Sequence, residues 1–541
     1  MLGSCDPAAS PRLIPGQGEE LEAWIFRSEA VVLLGLLGLA FAIRFYLSVT
    51  SYCISGDGVA YLVMARHFVA GDWRAALGAV YSPLYPLLVS LMHRRIGNWE
   101  QAGSLVSAIF GTAAVATTYL MTRQALGRRD LALGAAVLMA LHPATAAYSA
   151  SVRTEAGYMF LTTSACWLLL KALNEQRMAI AVIAGITAGL GYLYRTEAIG
   201  FLSLGILFFM GAGWLWKQAS HPWAVMAACA FAAAFMIVAS PYIAYLRISS
   251  GHWSIGREFT AAMMYGMADV ARNGGEWQRL GWSATVSPLA AIFNDPRLYA
   301  AKVGQDFIVS LYNFEQALEP VLSVMLVIGI WTRGWAIFAT VRETFLAAIV
   351  LFYFGGFALS YTGTRFMIHL IPFVFAWVAA GIIAVSQQAA QWSRPDGRRF
   401  IYAVVPLAIA MTLLPRTLWP LGYDMRGIRY AGEDIAKIAK GPVAVAARDG
   451  RVAYYAGAQI LELPLLPPED LCGWLRSHHG DFLMIGNRDE HAFNVTSAMH
   501  CLELLKRYPR YGSGYYDLYA LRPAEQARGS AASNGMAIEA Q

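Results

Sequence analysis

Charge is what this chain has least of. Only 14% of its 541 residues are Asp, Glu, Lys or Arg, while 57% are apolar. A soluble domain typically carries about 25% charged residues, so a water-soluble enzyme is excluded as a class. The formal surplus of +6 does not imply nucleic acid as a partner. In a membrane protein such a surplus collects in cytoplasmic loops. Cysteine is also scarce. Cys5, Cys53, Cys166 and Cys229 are scattered and show no metal-ligand spacing. Cys472 and Cys501 lie in one polar region. They are either a disulfide, if that region is extracytoplasmic, or two free thiols. A cleavable leader is missing as well. The run Ala30 to Leu47 is too long for a secretory apolar region and no small-residue cleavage site follows it, so it reads as an uncleaved first span.

What fills the chain instead is long apolar runs. A bilayer-crossing helix needs about 20 residues, and the runs predict about eleven spans: 30–49, 101–122, 131–150, 156–173, 178–194, 198–216, 222–245, 306–330, 343–360, 366–386 and 400–418. One set of short loops holds Arg123, Arg128, Arg129, Lys171, Arg177, Lys217, Arg333, Arg342, Arg394, Arg398 and Arg399. The opposite loops hold only Arg153, Arg195 and Arg365. The positive-inside rule makes the first set cytoplasmic, with the N-terminus inside and the C-terminus outside.

The expected organisation is mostly α. A cytoplasmic segment 1–29 precedes a polytopic transmembrane domain, 30–420, with outer loops 50–100 and 246–305. Short amphipathic stretches near 59–70 and 84–95 read as interfacial helices. A small extracytoplasmic α/β domain follows over 421–521, with strands expected at 442–446 and 482–485. It shows no catalytic constellation, since Asp449, Asp481 and Asp489 read as loop residues, and is expected to be accessory. The tail 522–541 reads as disordered.

One phrase occurs twice. Arg153-Thr154-Glu155-Ala156 and Arg195-Thr196-Glu197-Ala198 are 42 residues apart, and nearly everything between them is apolar. Two helices and a tight turn fill that gap, so both phrases return to one membrane face. Each residue in them has two readings. Glu155 and Glu197 open spans, where the helix dipole favours an acid by about 0.3–1 kcal/mol. Arg153, Arg195 and Arg365 sit at span ends, where they can snorkel to headgroups. Alternatively, the three guanidiniums converge on one phosphate. Asp57, in Ser55-Gly56-Asp57-Gly58 past the first span, is either a turn or N-cap residue before a helix starting near Val59 or an uncovered carboxylate on the same face. Together these residues are what transfer from a lipid-linked phosphate needs: a carboxylate that takes a proton from an acceptor hydroxyl and cations that neutralise the departing phosphate.

Several stretches resemble the GT-C superfamily of integral-membrane glycosyltransferases. The likeness is narrower still to dolichyl-phosphate-mannose protein mannosyltransferases and their bacterial relatives, including the aminoarabinose transferases that modify lipid A. The matching pieces are Ser55-Gly56-Asp57-Gly58-Val59-Ala60-Tyr61, Tyr81-Ser82-Pro83-Leu84-Tyr85-Pro86, His142-Pro143 upstream of Arg153-Thr154-Glu155, Tyr194-Arg195-Thr196-Glu197, and Thr364 to Pro372. They cover roughly 50–375. The resemblance implies a GT-C fold and inverting transfer from a polyprenyl-phosphate sugar to a glycan, lipid or protein acceptor. It implies Asp57 as base and Glu155 as the second outer-loop acid. Arg153, Arg195 and Arg365 are expected on the donor phosphate, with Glu197, Tyr61, Tyr81 and Tyr85 in the substrate cavity. Here Gly58 follows Asp57 where many members carry a second acid, which weighs against protein O-mannosylation. No cofactor is firmly implied. Some relatives bind a divalent metal at this face, but no ligand set stands out: His67 and His93 read as interfacial helix residues and His142 as buried and satisfied. Trp253, Trp277 and Trp282 are candidates for stacking on an acceptor sugar. The expected location is the bacterial inner membrane, with the site on the periplasmic side among membrane lipids. The alternative is a transporter or flippase for a lipid-linked glycan; against it, the charges gather at one face and no inverted repeat is found.

Overall fold

A computed structural model describes residues 17–522, apart from 79, 252, 258–261, 265, 268–291, 294, 393–397, 465–466 and 511–513. The expected disordered tail and the stacking candidates Trp277 and Trp282 therefore lie outside the described residues. Among those described, eight helices are long and apolar enough to cross a bilayer, or nine if one bent pair counts as a span. Two further apolar helices, Met178–Tyr194 and Tyr402–Thr417, are shorter. Side chains such as Ile237, Leu351 and Leu207 stand 62–74% exposed. Contiguous apolar surface of this kind belongs in lipid, and the chain is a multi-pass integral membrane protein.

The elements that carry the site come early in the chain. The first span ends α1 (Gln17–Val49), and the polar first loop folds into α2 (Gly56–Ala70), α3 (Trp73–Gly78) and α4 (Leu84–Ile96). Then come α5 (Trp99–Leu126), the bent pair α6 (Arg129–Leu141) and α7 (Pro143–Ser149), α8 (Glu155–Glu175), α9 (Met178–Tyr194), α10 (Ile199–Trp214) and α11 (His221–Ser250). The 59° bend between α6 and α7 falls where Pro143 interrupts the helix. Arg44, fully buried in α1, answers the carbonyls that this break frees. Its guanidinium donates to Met139 O at 3.0 Å and Ala140 O at 3.3 Å. His142 is buried and satisfied, as expected. Its Nδ1 accepts from Thr145 N at 3.3 Å and its Nε2 lies 3.2 Å from Leu318 O.

The span expected at 306–330 is a correction. Helix Pro296–Leu318 ends at Glu319, whose φ is +77°, and a second helix starts at Pro320. Only the second piece, Pro320–Phe338, is long and apolar enough to span. The first carries a buried polar stripe of Lys302, Asp306, Ser310 and Asn313, which belongs against protein rather than lipid.

The C-terminal region folds around a five-stranded sheet in the order β2-β1-β3-β5-β4. The strands are β1 (Ala444–Ala447), β2 (Gln459–Glu462), β3 (Phe482–Gly486), β4 (Leu502–Pro509) and β5 (Tyr515–Leu521). β1 pairs in parallel with β2 and β3, while β5 runs antiparallel to β3 and β4. β1 and β3 are buried along their whole length, as short unalternating apolar runs predict. Cys472 and Cys501 are joined by a disulfide, which settles the alternative left open by the sequence.

Candidate functional site

Ser55 caps α2: its Oγ accepts from Gly58 N at 3.1 Å and donates to Val152 O at 2.9 Å. The helix thus begins at Gly56, and Asp57 lies in its first turn rather than serving as the cap. Gly58 is packed tightly. A Cβ there would lie 2.8 Å from both Ile54 Cγ1 and Ser55 Oγ, so a side chain at this position would have to displace its neighbours.

Glu155 is the first residue of α8, and Arg195 ends α9 ahead of a 3-10 turn, Thr196–Ala198. Arg365 sits in the turn 364–370 that leads into helix Ile371–Gln391. Four distant segments meet here in an alternating chain of charge. Arg365 pairs through Nη1 with Asp57 Oδ2 and donates from Nε to Glu155 Oε1 at 3.1 Å. Arg195 Nη1 lies 3.5 Å from that same Glu155 oxygen and 3.0 Å from Thr154 Oγ1, while its Nη2 donates to Glu197 Oε1 at 2.6 Å. Glu155 is only 3% exposed, and among the described residues its Oε2 has no hydrogen-bond partner. Arg153 takes no part in this chain; its guanidinium lies over the Tyr148 ring, 4.7 Å from the centroid.

Tyr81 donates to Asp57 Oδ1 at 3.0 Å. Burial pushes the Asp57 carboxyl upward, but the charge and hydrogen bond of Arg365 outweigh it, with help from the Arg153 charge and the Tyr81 hydroxyl. The net result is a carboxyl held below its ordinary range.

These groups border a cavity of about 500 Å³. Asp57, Tyr81, Arg195, Glu197, Tyr361 and Arg365 are among its polar lining residues, and Ile199, Gly200, Ile255, Ala262, Phe352 and Phe357 among its apolar ones. Two expected members are elsewhere. Tyr61 and Tyr85, at 1% and 0% exposure, lie behind the wall. The Tyr61 ring packs 4.8 Å from that of Tyr81, and Tyr85 donates to Gly103 O at 3.1 Å. They occupy the faces of α2 and α4 that pack inward, so they support Tyr81 rather than line the space. Trp253 is 75% exposed beside Arg247 and is not among the lining residues.

Sequence reasoning missed Ser203, Tyr353, Ser360, Tyr361 and Phe366, which also line the cavity. Tyr353 donates to Glu197 O at 3.1 Å. The polar run Ser360-Tyr361-Thr362-Gly363-Thr364 between two spans was an available signal; a lone Ser203 in an apolar helix was not. That run is pinned by the polar stripe of helix Pro296–Leu318. Lys302 donates to Ala358 O at 3.0 Å, Ser310 to Thr362 Oγ1 at 2.8 Å, and Thr364 to Asn313 Oδ1 at 3.1 Å. Among the described residues, no group of three side chains within ligating reach of one another gathers at the cavity. Asp57, Glu155 and Glu197 are each engaged by guanidinium. Among the described residues, the one His/Cys/carboxylate cluster within ligating reach is Cys472, His500 and Cys501, whose sulfurs are bonded to each other.

Residues 80–245 match the family described as dolichyl-phosphate-mannose-protein mannosyltransferase. No curated protein sequence matches the chain. Among solved structures, the chain is similar to the Archaeoglobus fulgidus oligosaccharyltransferase in complex with Zn and sulfate. The TM-score is 0.54 and the identity 13%, covering 89% of this chain and 72% of that one. It is similar also to ArnT from Cupriavidus metallidurans bound to undecaprenyl phosphate. There the TM-score is 0.53 and the identity 12%, covering 91% of this chain and 98% of that one. At such identities the likeness is one of fold. The chain shares the fold of these structures, and it carries a small sheet domain after its membrane helices, as expected.

Proposed function

We propose that this protein is an inverting glycosyltransferase. It moves a sugar from a polyprenyl-phosphate donor to a hydroxyl of a glycan, lipid or protein acceptor, at the outer face of a bacterial inner membrane. The observation that carries the reading is that Asp57, Arg365, Arg195 and Glu197 join one chain of ion pairs and border a cavity that Ile199, Phe352 and Phe357 also line. Such a space suits a molecule with an anionic phosphate and a long hydrocarbon tail. The family match over 80–245 supports the reaction class, and the undecaprenyl phosphate of the ArnT structure supports the donor type.

In this reading the donor phosphate exchanges with Asp57 for the guanidinium of Arg365, and Arg153 contributes a second cation. The released Asp57 carboxylate accepts the proton of the acceptor hydroxyl. The hydroxyl oxygen forms a bond to the anomeric carbon, the bond from that carbon to the phosphate oxygen breaks, and the electron pair leaves with the polyprenyl phosphate. Arg365 and Arg153 neutralise the charge that gathers there. Glu155 and Arg195 touch no reacting atom in this scheme; they hold Arg365 in place. Transfer of radiolabelled sugar by purified protein in liposomes tests the scheme. Asp57→Asn is expected to lower turnover at least 100-fold while donor binding persists. A folded Asp57→Asn protein with unchanged turnover refutes the role of Asp57.

A further inference from the structure

The segment 51–55 joins the first span to α2 and carries no regular secondary structure, yet Cys53 and Ile54 are only 6% and 4% exposed. What covers it is the C-terminal region. Tyr52 N donates to Leu421 O at 2.8 Å, and Ile54 N donates to the hydroxyl of Tyr455 at 2.8 Å. Arg451 donates from Nη1 to Ile54 O at 3.3 Å and is itself held by Asp449, with Nε 2.8 Å from Oδ1. The Tyr455 hydroxyl passes its own proton toward Glu100 Oε2, 3.4 Å away at the start of α5. Gly422 closes against the same segment with φ +66°. A Cβ there would lie 2.8 Å from Cys53 O and 2.9 Å from Cys53 N. The next residue, Ser55, caps α2 and ties it to Val152, one residue before Arg153.

We infer that the C-terminal domain is a clamp: Tyr455, Arg451 and Gly422 hold the 52–55 strap and thereby set where Asp57 and the Arg153 segment stand. The inference goes beyond the expectation of an accessory domain, and its consequence for turnover rests on the function proposed above. A backbone amide buried without a partner is costly, so losing the Tyr455 hydroxyl frees the strap from its anchor. In the clamp, Tyr455 and Arg451 are positioning residues; neither borders the cavity.

Cys53 is a native reporter. Burial pushes its thiol up to about 11, so the reactive thiolate is scarce and shielded. The test uses the full-length protein in liposomes with Tyr455→Phe, which keeps the ring and removes one hydroxyl, and Arg451→Gln. Maleimide labelling of Cys53, located by peptide mass spectrometry, is expected to accelerate about tenfold in both variants. Cys166, fully buried in α8, should stay unlabelled and so reports intact folding. Turnover is expected to fall at least tenfold with the donor KM within twofold of wild type. Unchanged Cys53 labelling in Tyr455→Phe overturns the clamp, whatever the enzyme assay gives. Faster labelling in a protein whose wild type transfers no sugar supports the clamp and leaves the proposed function refuted. If Arg451→Gln also exposes Cys166, the membrane helices have opened, and Tyr455→Phe alone decides.

Discussion

The two Arg-Thr-Glu-Ala phrases are identical in sequence and opposite in use. In the first, the acid is buried and the arginine sits apart: Glu155 lies between two guanidiniums at 3% exposure while Arg153 stacks on Tyr148. In the second, the arginine is buried and the acid borders the cavity. The Arg195 side chain is 6% exposed between Glu155 and Glu197, and the Glu197 side chain is 20% exposed. The difference comes from local backbone. Glu155 starts a regular helix. Arg195 precedes a 3-10 turn, Thr196–Ala198, that contains Glu197. A repeated phrase therefore marks a shared membrane face without marking equal roles.

Arginine substitutions test that asymmetry most severely. Arg195→Met leaves Glu197 without its guanidinium and Glu155 with Arg365 alone, and removing one partner from a buried ion pair costs about 3–5 kcal/mol. It should lower the melting temperature in detergent sharply and abolish transfer. Arg153→Met should leave melting nearly unchanged, because a stacked cation of this kind contributes about 0.5–1 kcal/mol. Equal destabilisation by the two would erase the distinction.

Removing the bridge between the phrases and Asp57 comes next. Arg365→Gln takes away the main influence holding the Asp57 carboxyl low and leaves burial, which acts upward. The wild-type carboxylate persists down to pH values below the ordinary carboxylate range, about 4. In the variant, the base is lost at higher pH. Turnover should drop at least 100-fold, and the acidic limb of kcat/KM should move to higher pH by a unit or more. An unshifted limb argues that Asp57 is not the base.

The acids should divide similarly. Glu155→Gln removes the charge shared by two guanidiniums and should both destabilise and inactivate. Glu197→Gln, with one ion-pair partner and a place on the cavity wall, should melt close to wild type while transfer falls about tenfold. Smallest of all, Arg153→Met should raise the donor KM about tenfold with kcat within threefold. A kcat effect exceeding the KM effect would move Arg153 from binding the donor to the chemical step.

Much of this was legible in advance. Apart from the span expected at 306–330, the apolar runs gave the apolar helices to within about five residues, and strands β1 and β3 fell where short unbroken apolar runs were found. Counting spans placed Asp57 and both phrases on one expected face, while packing brought them into one chain of ion pairs. Other parts were hidden for physical reasons. The break at Glu319 and Pro320 lies inside one expected span, and the helical spacing of Asp306, Ser310 and Asn313 before it reads as part of that same helix. Tyr61 and Tyr85 sit beside Tyr81 in one motif, yet only Tyr81 borders the cavity. Which face of a short helix turns inward depends on what packs on it. Ser203 and Tyr353 had no local signature, since each is one polar group in an apolar span. The grip of the C-terminal domain on 52–55 spans some 400 residues of chain, and nothing in either stretch names the other.

Amino-acid order alone settled that this chain is a multi-pass membrane protein and roughly where most of its apolar helices lie, because those properties depend on local hydrophobicity. Packing decided which guanidinium meets which carboxylate, which tyrosine sees the cavity, and what holds Asp57 still. Those outcomes depend on helix rotation, bend angle and contacts between remote segments, and distances of 3 Å are set by all of them together.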